Sequence, residues 1–337
     1  MVLLNRGDSA TEITTTASTV GLSGHRFSVR DVWGKTSSES AGVLRASIPA
    51  HGTALLIVSA KTAEPSAPRL VVSAPKITAI DGSAFDGGTN ALASAGATVS
   101  VEATVFNDGS TPALLPRAKL TVPVGWTSAP TAVRTLAILP GHSAVSRFTV
   151  TAAAAAAIGS YSITASVASL ALPHSGSASS APTVITIAPP APRGNTALSH
   201  QPWVSGTSGW MQPTIDQSVG GGSAIQIAGT TYSTGIGVAS PSVIRYYVGG
   251  SCTSLTGVVG IDDAVKNVGP EGGTSTFTIV GDGRTLFSTG TVTRDQTLPL
   301  DVDLTGVHDL QLLVGDAGDG GYNDRADWGT LAVTCAT

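Results

Sequence analysis

The sequence predicts an all-β protein made of three β-sandwich domains in series. Its 337 residues correspond, as a prior, to two or three domains. A content of 40 glycines with 12% charged residues suits strands joined by many tight turns, and 42% hydrophobic residues is too apolar for a disordered chain. Short runs of alternating Val, Ile or Thr recur along the chain, whereas no long segment has helical periodicity.

Residues 1–60 predict a first sandwich that is truncated at its N-terminal side. Its strand-like runs are EITTTAS, HRFSVRDVW, GVLRASIPA and TALLIVS. The opening MVLLNRG is an apolar run that stops at a turn and lacks the features of a secretory signal, which suggests a truncated or wrongly started gene product. Because an incomplete sheet exposes an unpaired edge and an apolar face, we expect this segment to be poorly stable or self-associating.

Residues 70–187 predict an immunoglobulin-like sandwich of about seven short strands at regular spacing. Pro-rich segments at 62–69 (TAEPSAPR) and 188–195 (APPAPRGN) predict the linkers on either side. The run AAAAAA at 152–157 has high helix propensity but is too short to nucleate a helix, so a loop or a single turn is expected there.

Residues 199–337 predict a third sandwich, of the jelly-roll type, which is acidic. This segment has 5 basic and 13 acidic residues, whereas residues 1–198 have 13 and 9. The acidic bias argues against nucleic acid as its partner and is compatible with a cation or a neutral polar ligand. No run approaches the ~20 apolar residues of a membrane-spanning helix, so no membrane span is expected.

Two cysteines, Cys252 and Cys335, both lie in the last predicted domain. Thiolate metal sites need more ligands at short spacing, so such a site is not expected. A disulfide between the C-terminal strand and an earlier strand is favoured over two free thiols. It would imply an oxidising, extracellular setting.

The stretch VGDAGDGGYNDRADW, residues 314–328, combines four aspartates with glycines and aromatic residues. Glycine-rich loops with many oxygen ligands often hold calcium, for which the candidates are Asp262, Asp263, Asp316, Asp319 and Asp324. Solvated turn aspartates are the alternative, which the residues leave open. No acid is marked for a raised pKa, and none of the six histidines lies in a known catalytic motif, so no catalytic residue is predicted.

Aromatic residues of the acidic domain could also form a shallow carbohydrate site. They are Trp203, Trp210, Tyr246, Tyr247, Tyr322 and Trp328. Asn323, Arg325 and Asp327 stand beside Trp328 and could hydrogen-bond sugar hydroxyls. The alternative is that Trp203 and Trp328 are core residues.

Several stretches of the last domain resemble the NPCBM family, equivalent to family 51 carbohydrate-binding modules. They are PWVSGTSGW (202–210), GTTYSTGIGVASPSVIRYYVGG (229–250), GVVGIDDAV (257–265), FTIVGDGRTLFSTG (277–290) and the final LDVDLTGVHDLQLLVGDAGDGGYNDRADWGTLAVTC (300–335). In the middle domain VEATVFNDGSTPA, KLTVPVGW and LPGHSAVSRFTVT resemble the module that often precedes that family in bacterial α-galactosidases. In the first, VLLNRGDSATEI, FSVRDVWGKT and ASIPAHGTALLIVS resemble the C-terminal β-sandwich of family 27 glycoside hydrolases.

The resemblance implies binding of galactose-containing glycans and a bound structural calcium ion. Trp210, Tyr247 or Trp328 would form an aromatic platform, and Asn323, Arg325 and Asp327 would bind hydroxyls. Asp262, Asp263 and Asp316 would hold or neighbour the calcium. One departure is Ala239, which in GVASPS stands where the family has a histidine. If that histidine contacts sugar in the family, the departure implies that this module binds weakly, binds another sugar or does not bind.

The order of the three domains resembles the tail of a secreted bacterial α-galactosidase. Such an enzyme needs a (β/α)₈ barrel of ~250 residues, and no segment here can form it. The sequence therefore predicts a non-catalytic carbohydrate-binding fragment. The alternatives are an α-galactosidase, as family membership implies, and a structural or adhesion module that binds no sugar.

Overall fold

The computed structural model describes the chain except residues 25, 41, 62–67, 86–89, 110, 132–134, 170–176 and 268–272. It is almost entirely β-structure and divides into two compact units, Met1–Ile187 and Ala188–Thr337. The sequence-based prediction of an all-β, sandwich-built chain is thus confirmed. The predicted linker at 62–69 lies mostly outside the described residues, as do His25 and His174. No helix in the described part of the chain is long and apolar enough to cross a membrane.

The strands of the first unit are short and are separated mainly by turns. They are β1 (Val2–Leu4), β2 (Thr11–Thr16), β3 (Phe27–Asp31), β4 (Thr36–Ser40), β5 (Val43–Ile48), β6 (Thr53–Ala60), β7 (Leu70–Val72), β8 (Lys76–Ile80), β9 (Ser83–Ala84), β10 (Asn90–Ala93), β11 (Thr98–Asn107), β12 (Ala113–Leu114), β13 (Arg117–Thr121), β14 (Thr127–Pro130), β15 (Ala137–Ile138), β16 (Ser143–Thr151), β17 (Gly159–Ala168), β18 (Ser177–Ser179) and β19 (Thr183–Ile187).

The first sandwich packs a four-stranded sheet, in the order β1-β6-β3-β4, against the pair β2-β5. Its core is small because only two layers of short strands supply it. The buried apolar side chains are Leu3, Ala17, Phe27, Val29, Leu44, Ile48, Ala54 and Leu56. Strand β1 lies at an edge of the sheet, and the side chains of Val2 and Leu4 are exposed there.

The second sandwich has one sheet in the order β14-β16-β11-β8-β9, with β7 also on β11, and another in the order β10-β19-β17-β13, with β18 also on β17. In the long strand β11, alternate residues from Val99 to Val105 are buried, which is the alternation that the sequence predicted. The alanine run 152–157 forms a turn and no helix, as expected.

A buried carboxylate joins the two sandwiches within this unit. Asp108 accepts hydrogen bonds from Ser40 Oγ at 2.5 Å and from the Val43 amide at 3.1 Å, and Arg69 Nη1 lies 3.8 Å from it. Beside it, Val43 and Phe106 belong to one apolar cluster. Shared burial explains why residues 1–60 and 70–187 fall in the same compact unit.

The second unit contains fourteen strands and two short 3₁₀ helices among its described residues. The strands are β20 (Asn195–Ala197), β21 (Ser205–Thr207), β22 (Thr214–Ile215), β23 (Ile225–Ile227), β24 (Thr230–Tyr232), β25 (Gly235–Ala239), β26 (Ser242–Tyr247), β27 (Cys252–Ile261), β28 (Thr274–Gly281), β29 (Arg284–Ser288), β30 (Val292–Thr293), β31 (Thr297–Asp303), β32 (Asp309–Gly315) and β33 (Arg325–Cys335). The helices span Leu198–His200 and Asp263–Asn267.

Two antiparallel sheets of this unit face each other across a large apolar core. One has the order β22-β25-β33-β27-β31 with β20 also on β33, and the other β21-β26-β32-β28-β29 with β30 also on β28. Phe277 of the second sheet meets Trp328 of the first edge-on, with ring centroids 5.2 Å apart. Strand β20 begins at Asn195, so sheet pairing starts within the segment 188–195 that the sequence predicts as a linker.

Cys252 and Cys335 stand directly opposite each other in the β27–β33 ladder and form a disulfide. The prediction of a bridge between the C-terminal strand and an earlier strand is confirmed. The bridge ties the last strand, β33, to β27. Strand β33 also pairs with β25 and β20 in the same sheet.

Candidate functional site

An exposed tryptophan and a guanidinium meet at one end of the strands of the second unit. Trp210 lies between β21 and β22 and is 47% exposed. Arg325, the first residue of β33, places its Cζ 4.9 Å from the centre of the Trp210 ring. We call these two residues the Trp210–Arg325 surface. A guanidinium over an indole is a favourable cation–π arrangement.

The backbone around this surface is fixed by the end of strand β25. Ser208 Oγ accepts a hydrogen bond from the Ala239 amide at 2.9 Å, and the Gly209 amide donates to the Ala239 carbonyl at 2.9 Å. These bonds hold the loop that carries Trp210 against β25. Ala239 stands directly opposite Arg325 in the β25–β33 ladder, so their side chains share one face of the sheet.

Three consecutive glycines, 220 to 222, lie against the same surface. A Cβ atom on Gly220 would overlap the six-membered ring of Trp210, and one on Gly221 would lie 3.7 Å from Arg325 Nη1. The absence of side chains therefore leaves the space that the indole and the guanidinium occupy. Sequence reasoning missed this contribution, although a run of three glycines beside a candidate aromatic was a signal for close approach.

Of the residues predicted for a sugar site, Trp210, Asn323 and Arg325 come together at this end. The Arg325 amide donates to the Asn323 carbonyl at 2.8 Å. Asn323 has φ +61°, in the left-handed region, and its Nδ2 is buried without a hydrogen-bond acceptor among the described residues. Tyr322, its neighbour, is largely exposed.

The structure corrects the prediction that Trp328 forms an aromatic platform. Trp328 is 0% exposed and packs in the core between the sheets. The reason is the alternation of β33, which directs Ala326 and Trp328 to the core face and Arg325 and Asp327 to the opposite face.

Tyr247 also cannot serve as a platform beside Trp210. It is 6% exposed and ends β26, roughly 17 Å along the strand from Ser242, which is near the Trp210 loop. Its ring packs beside Gly249, whose added Cβ would lie 3.2 Å from it. The two aromatic side chains thus belong to opposite ends of the unit.

Asp327, predicted to bind a sugar hydroxyl, is fully buried, which is a second correction. It lies opposite Gly237 of β25 and Gly260 of β27. The segment 217–227 lies directly over these two glycines, since a Cβ on Gly237 would overlap the Gln217 carbonyl and one on Gly260 would overlap Ile227. This covering segment excludes solvent from the Asp327 carboxylate.

Asp262 is the neighbour of Asp327 beneath that segment. Asp262 accepts a hydrogen bond from the Ala264 amide at 2.7 Å through Oδ1, while its Oδ2 and both oxygens of Asp327 are buried without a donor from the described residues. Burial, followed by the neighbouring carboxyl group of Asp262, raises the pKa of Asp327 well above its usual range. The nearby Asp263 accepts from the Gly229 amide at 2.7 Å.

Asp316, predicted as a calcium neighbour of Asp262 and Asp263, belongs to a different group of acids. Its charge acts on Asp324, together with that of Asp319. Burial is the main cause that raises the pKa of Asp324 to about 6. The predicted metal trio is therefore divided between two places in the sandwich.

This second group anchors the acidic loop to strand β28. Asp324 Oδ1 accepts from the Thr274 amide at 3.0 Å, and Thr274 Oγ1 donates to Asp319 Oδ2 at 2.7 Å. Ser240, Ser242 and Ser275 have buried hydroxyls at this end of the core. The four aspartates of the 314–328 stretch thus have different environments, and among the described residues no three acidic, His or Cys side chains are grouped closely enough to hold a metal by themselves.

A β-sandwich with an exposed indole and a guanidinium at the ends of its strands resembles a carbohydrate-binding module. Family comparison agrees with this class. Residues 194–334 match the NPCBM/NEW2 domain, residues 93–169 match the NPCBM-associated NEW3 domain of alpha-galactosidase, and residues 1–58 match the alpha-galactosidase C-terminal beta sandwich domain. The chain therefore contains one segment similar to the NPCBM/NEW2 domain and two segments similar to domains of α-galactosidase.

One curated relative is the "Putative endo-alpha-N-acetylgalactosaminidase" of Renibacterium salmoninarum, which is 30% identical over 230 residues. The match covers 64% of this chain and 15% of that protein, so the chain spans a small part of its relative.

Similar solved structures include the CBM51 of Clostridium perfringens GH95 in complex with methyl-galactose, with 25% identity and a TM-score of 0.38, covering 42% of this chain and 99% of that one. Another is the CBM51-2 of Clostridium perfringens ZmpB in complex with GlcNAc and with INT domains, with 22% identity and a TM-score of 0.39, covering 69% and 43%.

Proposed function

We propose that this chain is the non-catalytic, carbohydrate-binding part of a secreted α-galactosidase-like glycosidase, and that its last unit binds galactose-containing glycans. The observation that carries the proposal is the Trp210–Arg325 surface, which lies within the region that matches the carbohydrate-binding-module family. The disulfide of this unit supports an extracellular setting.

Galactose offers a patch of C–H groups that packs on an indole and hydroxyls that accept from a guanidinium. The site is a surface and not a deep cleft, so few contacts are desolvated and single-site affinity is expected to be weak. A weak module is still useful when tethered to an enzyme because it raises the effective concentration of the catalytic domain near its substrate.

Calorimetric titration of the full chain with methyl-galactoside tests the proposal. Trp210→Ala should weaken binding at least about tenfold, since an exposed aromatic anchor is a typical hot spot. Trp33→Ala is the matched control, because Trp33 is 57% exposed in the first unit and should not affect affinity. Equal affinity of the Trp210→Ala and parent proteins would refute the assignment of the site.

The same titrations separate the alternative functions. A structural or adhesion module that binds no sugar would give no heat with any galactoside. An α-galactosidase would release the chromophore from a chromogenic α-galactoside. If the purified chain does so, and if an Asp→Asn change between residues 316 and 327 abolishes the turnover, the chain is an enzyme and the proposed binding function is wrong.

We also propose that a calcium ion binds at Asp262 and Asp327. Three buried carboxylate oxygens of this pair lack a donor, and hard oxygen ligands without competing donors suit calcium. Backbone carbonyls and water would have to complete the 6–8 ligands of the ion. Its role would be structural, because it would neutralise the buried charges of the pair. Thermal unfolding in calcium and in chelator tests this, and an unchanged midpoint would refute it.

A further inference from the structure

Within the part of the chain that the structure describes, the guanidinium of Arg325 has no hydrogen-bonding partner. Among the described residues no acceptor bonds it, and its contact is the ring of Trp210 at 4.9 Å. The side chain is partly buried, so its position is confined. A guanidinium carries five N–H donors, and here they are left for water or for a ligand.

The other well-packed arginine of the unit shows a different arrangement. Arg245 donates through Nε and Nη2 to the two carboxylate oxygens of Asp309, each at 2.8 Å. Arg245 is therefore bound by a carboxylate at hydrogen-bonding distance, whereas no such carboxylate bonds Arg325 among the described residues. Asp327, on the same face of β33, is fully buried; its charge and that of Arg325 attract each other, but no hydrogen bond joins the two side chains among the described residues.

The surroundings of Arg325 also keep its approach open. Ala239, directly opposite in the ladder, presents only a methyl group, and Gly221 presents none beside Nη1. Trp210 supports the guanidinium from one side. Less conformational entropy is lost on binding when the donors are already held in place.

We propose that Arg325 selects glycans that carry an oxyanion, a carboxylate or a sulfate, on or beside the galactose. The planar fork of arginine matches such groups with two parallel hydrogen bonds, which are stronger than bonds to neutral hydroxyls. This inference rests on the proposed sugar binding at the same surface and specifies the class of sugar.

The test compares three soluble probes on the full chain, namely methyl-galactoside, galacturonic acid and galactose 6-sulfate. The parent should bind at least one charged probe about tenfold more tightly than the neutral one. Comparison of galacturonic acid with galactose 6-sulfate shows whether the preferred oxyanion is a carboxylate or a sulfate. Added salt should reduce the preference, because a partly exposed charge pair is screened.

Arg325→Gln should weaken binding of the neutral probe as well, because the guanidinium also donates to hydroxyls, but it should lower the affinity for the charged probes further, so that the preference is lost. Arg325→Lys, which keeps the charge without the fork, should retain a smaller preference. Arg284→Gln is the control, since it removes one exposed positive charge from the same unit and should leave the preference intact. Neutral and charged probes bound equally by the parent would overturn the inference but leave the proposed function standing, whereas failure of all three probes would overturn both.

Discussion

The carboxyl groups of Asp262 and Asp327 are buried neighbours beneath the segment 217–227, and three of their four oxygens have no hydrogen-bond donor among the described residues. Two buried carboxyls in contact require a shared proton or a bound cation, because two negative charges in a dry site repel each other. The energetics of the last unit therefore depend on what occupies this pair.

Removal of one carboxylate from the pair should have opposite effects with and without calcium. Asp327→Asn should abolish the stabilisation by calcium, which for a site filled at 100 times its dissociation constant is about 2.7 kcal/mol. In chelator the variant should be as stable as the parent or more stable, because a buried charge is removed.

Thermal unfolding in the two buffers measures both effects. Asp301→Asn, at an exposed position of β31, is the control and should keep the full calcium response. A calcium response that survives in Asp327→Asn would contradict the assignment of this carboxylate to the ion.

The glycine run should control the position of Trp210. Gly220→Ala would force the indole to move, because the added methyl overlaps its six-membered ring. Affinity for methyl-galactoside should fall about as much as in Trp210→Ala. Calorimetric titration of both variants provides the measurement.

Gly222→Ala is a closely matched control for that change. Gly220 and Gly222 have φ values of +71° and +67°, so alanine introduces similar backbone strain, yet a Cβ on Gly222 meets nothing within 4 Å. Both variants should lose similar stability, but only Gly220→Ala should lose sugar affinity. An equal loss of affinity in the two would assign the effect to strain alone.

Stability should depend on pH through Asp324. Its pKa in the folded protein is about 6, above the ~3.9 of an unfolded chain, so the folded state binds this proton more tightly. The contribution is fully present below pH ~3.9 and is lost as the pH rises through 6. Relative to Asp324→Asn, the parent should thus lose unfolding free energy over this interval, by less than the ~3 kcal/mol of the full shift because solvent screens part of the charge.

Denaturant unfolding at a series of pH values, in chelator, measures that difference. Asp303 is the control, because hydrogen bonds from Thr305 lower its pKa, so its effect on stability should change with pH in the opposite direction to that of Asp324. Asp303→Asn should therefore reduce stability at neutral pH and lose this effect in acid. A parent and an Asp324→Asn variant with parallel pH profiles would disprove the role of Asp324.

The first strand should mediate weak self-association, as the sequence predicts for residues 1–60. Val2 and Leu4 are exposed on the edge strand β1, and Ile57 is exposed on its neighbour β6. Leu4→Lys should reduce association, since a charge on an edge disfavours pairing with another chain. Sedimentation velocity at rising concentration measures it.

Val124→Lys adds the same charge at a fully exposed turn of the same unit and is the control. It should leave the association unchanged. A parent protein that sediments as a monomer at every concentration would show that the exposed edge strand does not mediate self-association.

The sequence by itself determined the strands, the acidic character of the last unit and the pairing of its cysteines. Alternation of apolar and polar residues is a local property, so the strand character of β11, β28 and the second half of β33 was readable from spacing alone. Two cysteines allow one disulfide within the chain, and the pairing of β27 with β33 places them opposite each other so that it forms.

Only the tertiary structure decided which aromatic and acidic side chains are accessible. Alternation assigns Trp328 and Asp327 to opposite faces of β33, but it does not say which face is covered. Because the second sheet covers one face and the segment 217–227 covers the other, both side chains are buried. Trp210 and Arg325, 115 positions apart in the sequence, are adjacent because strand register, which no local pattern encodes, places them there.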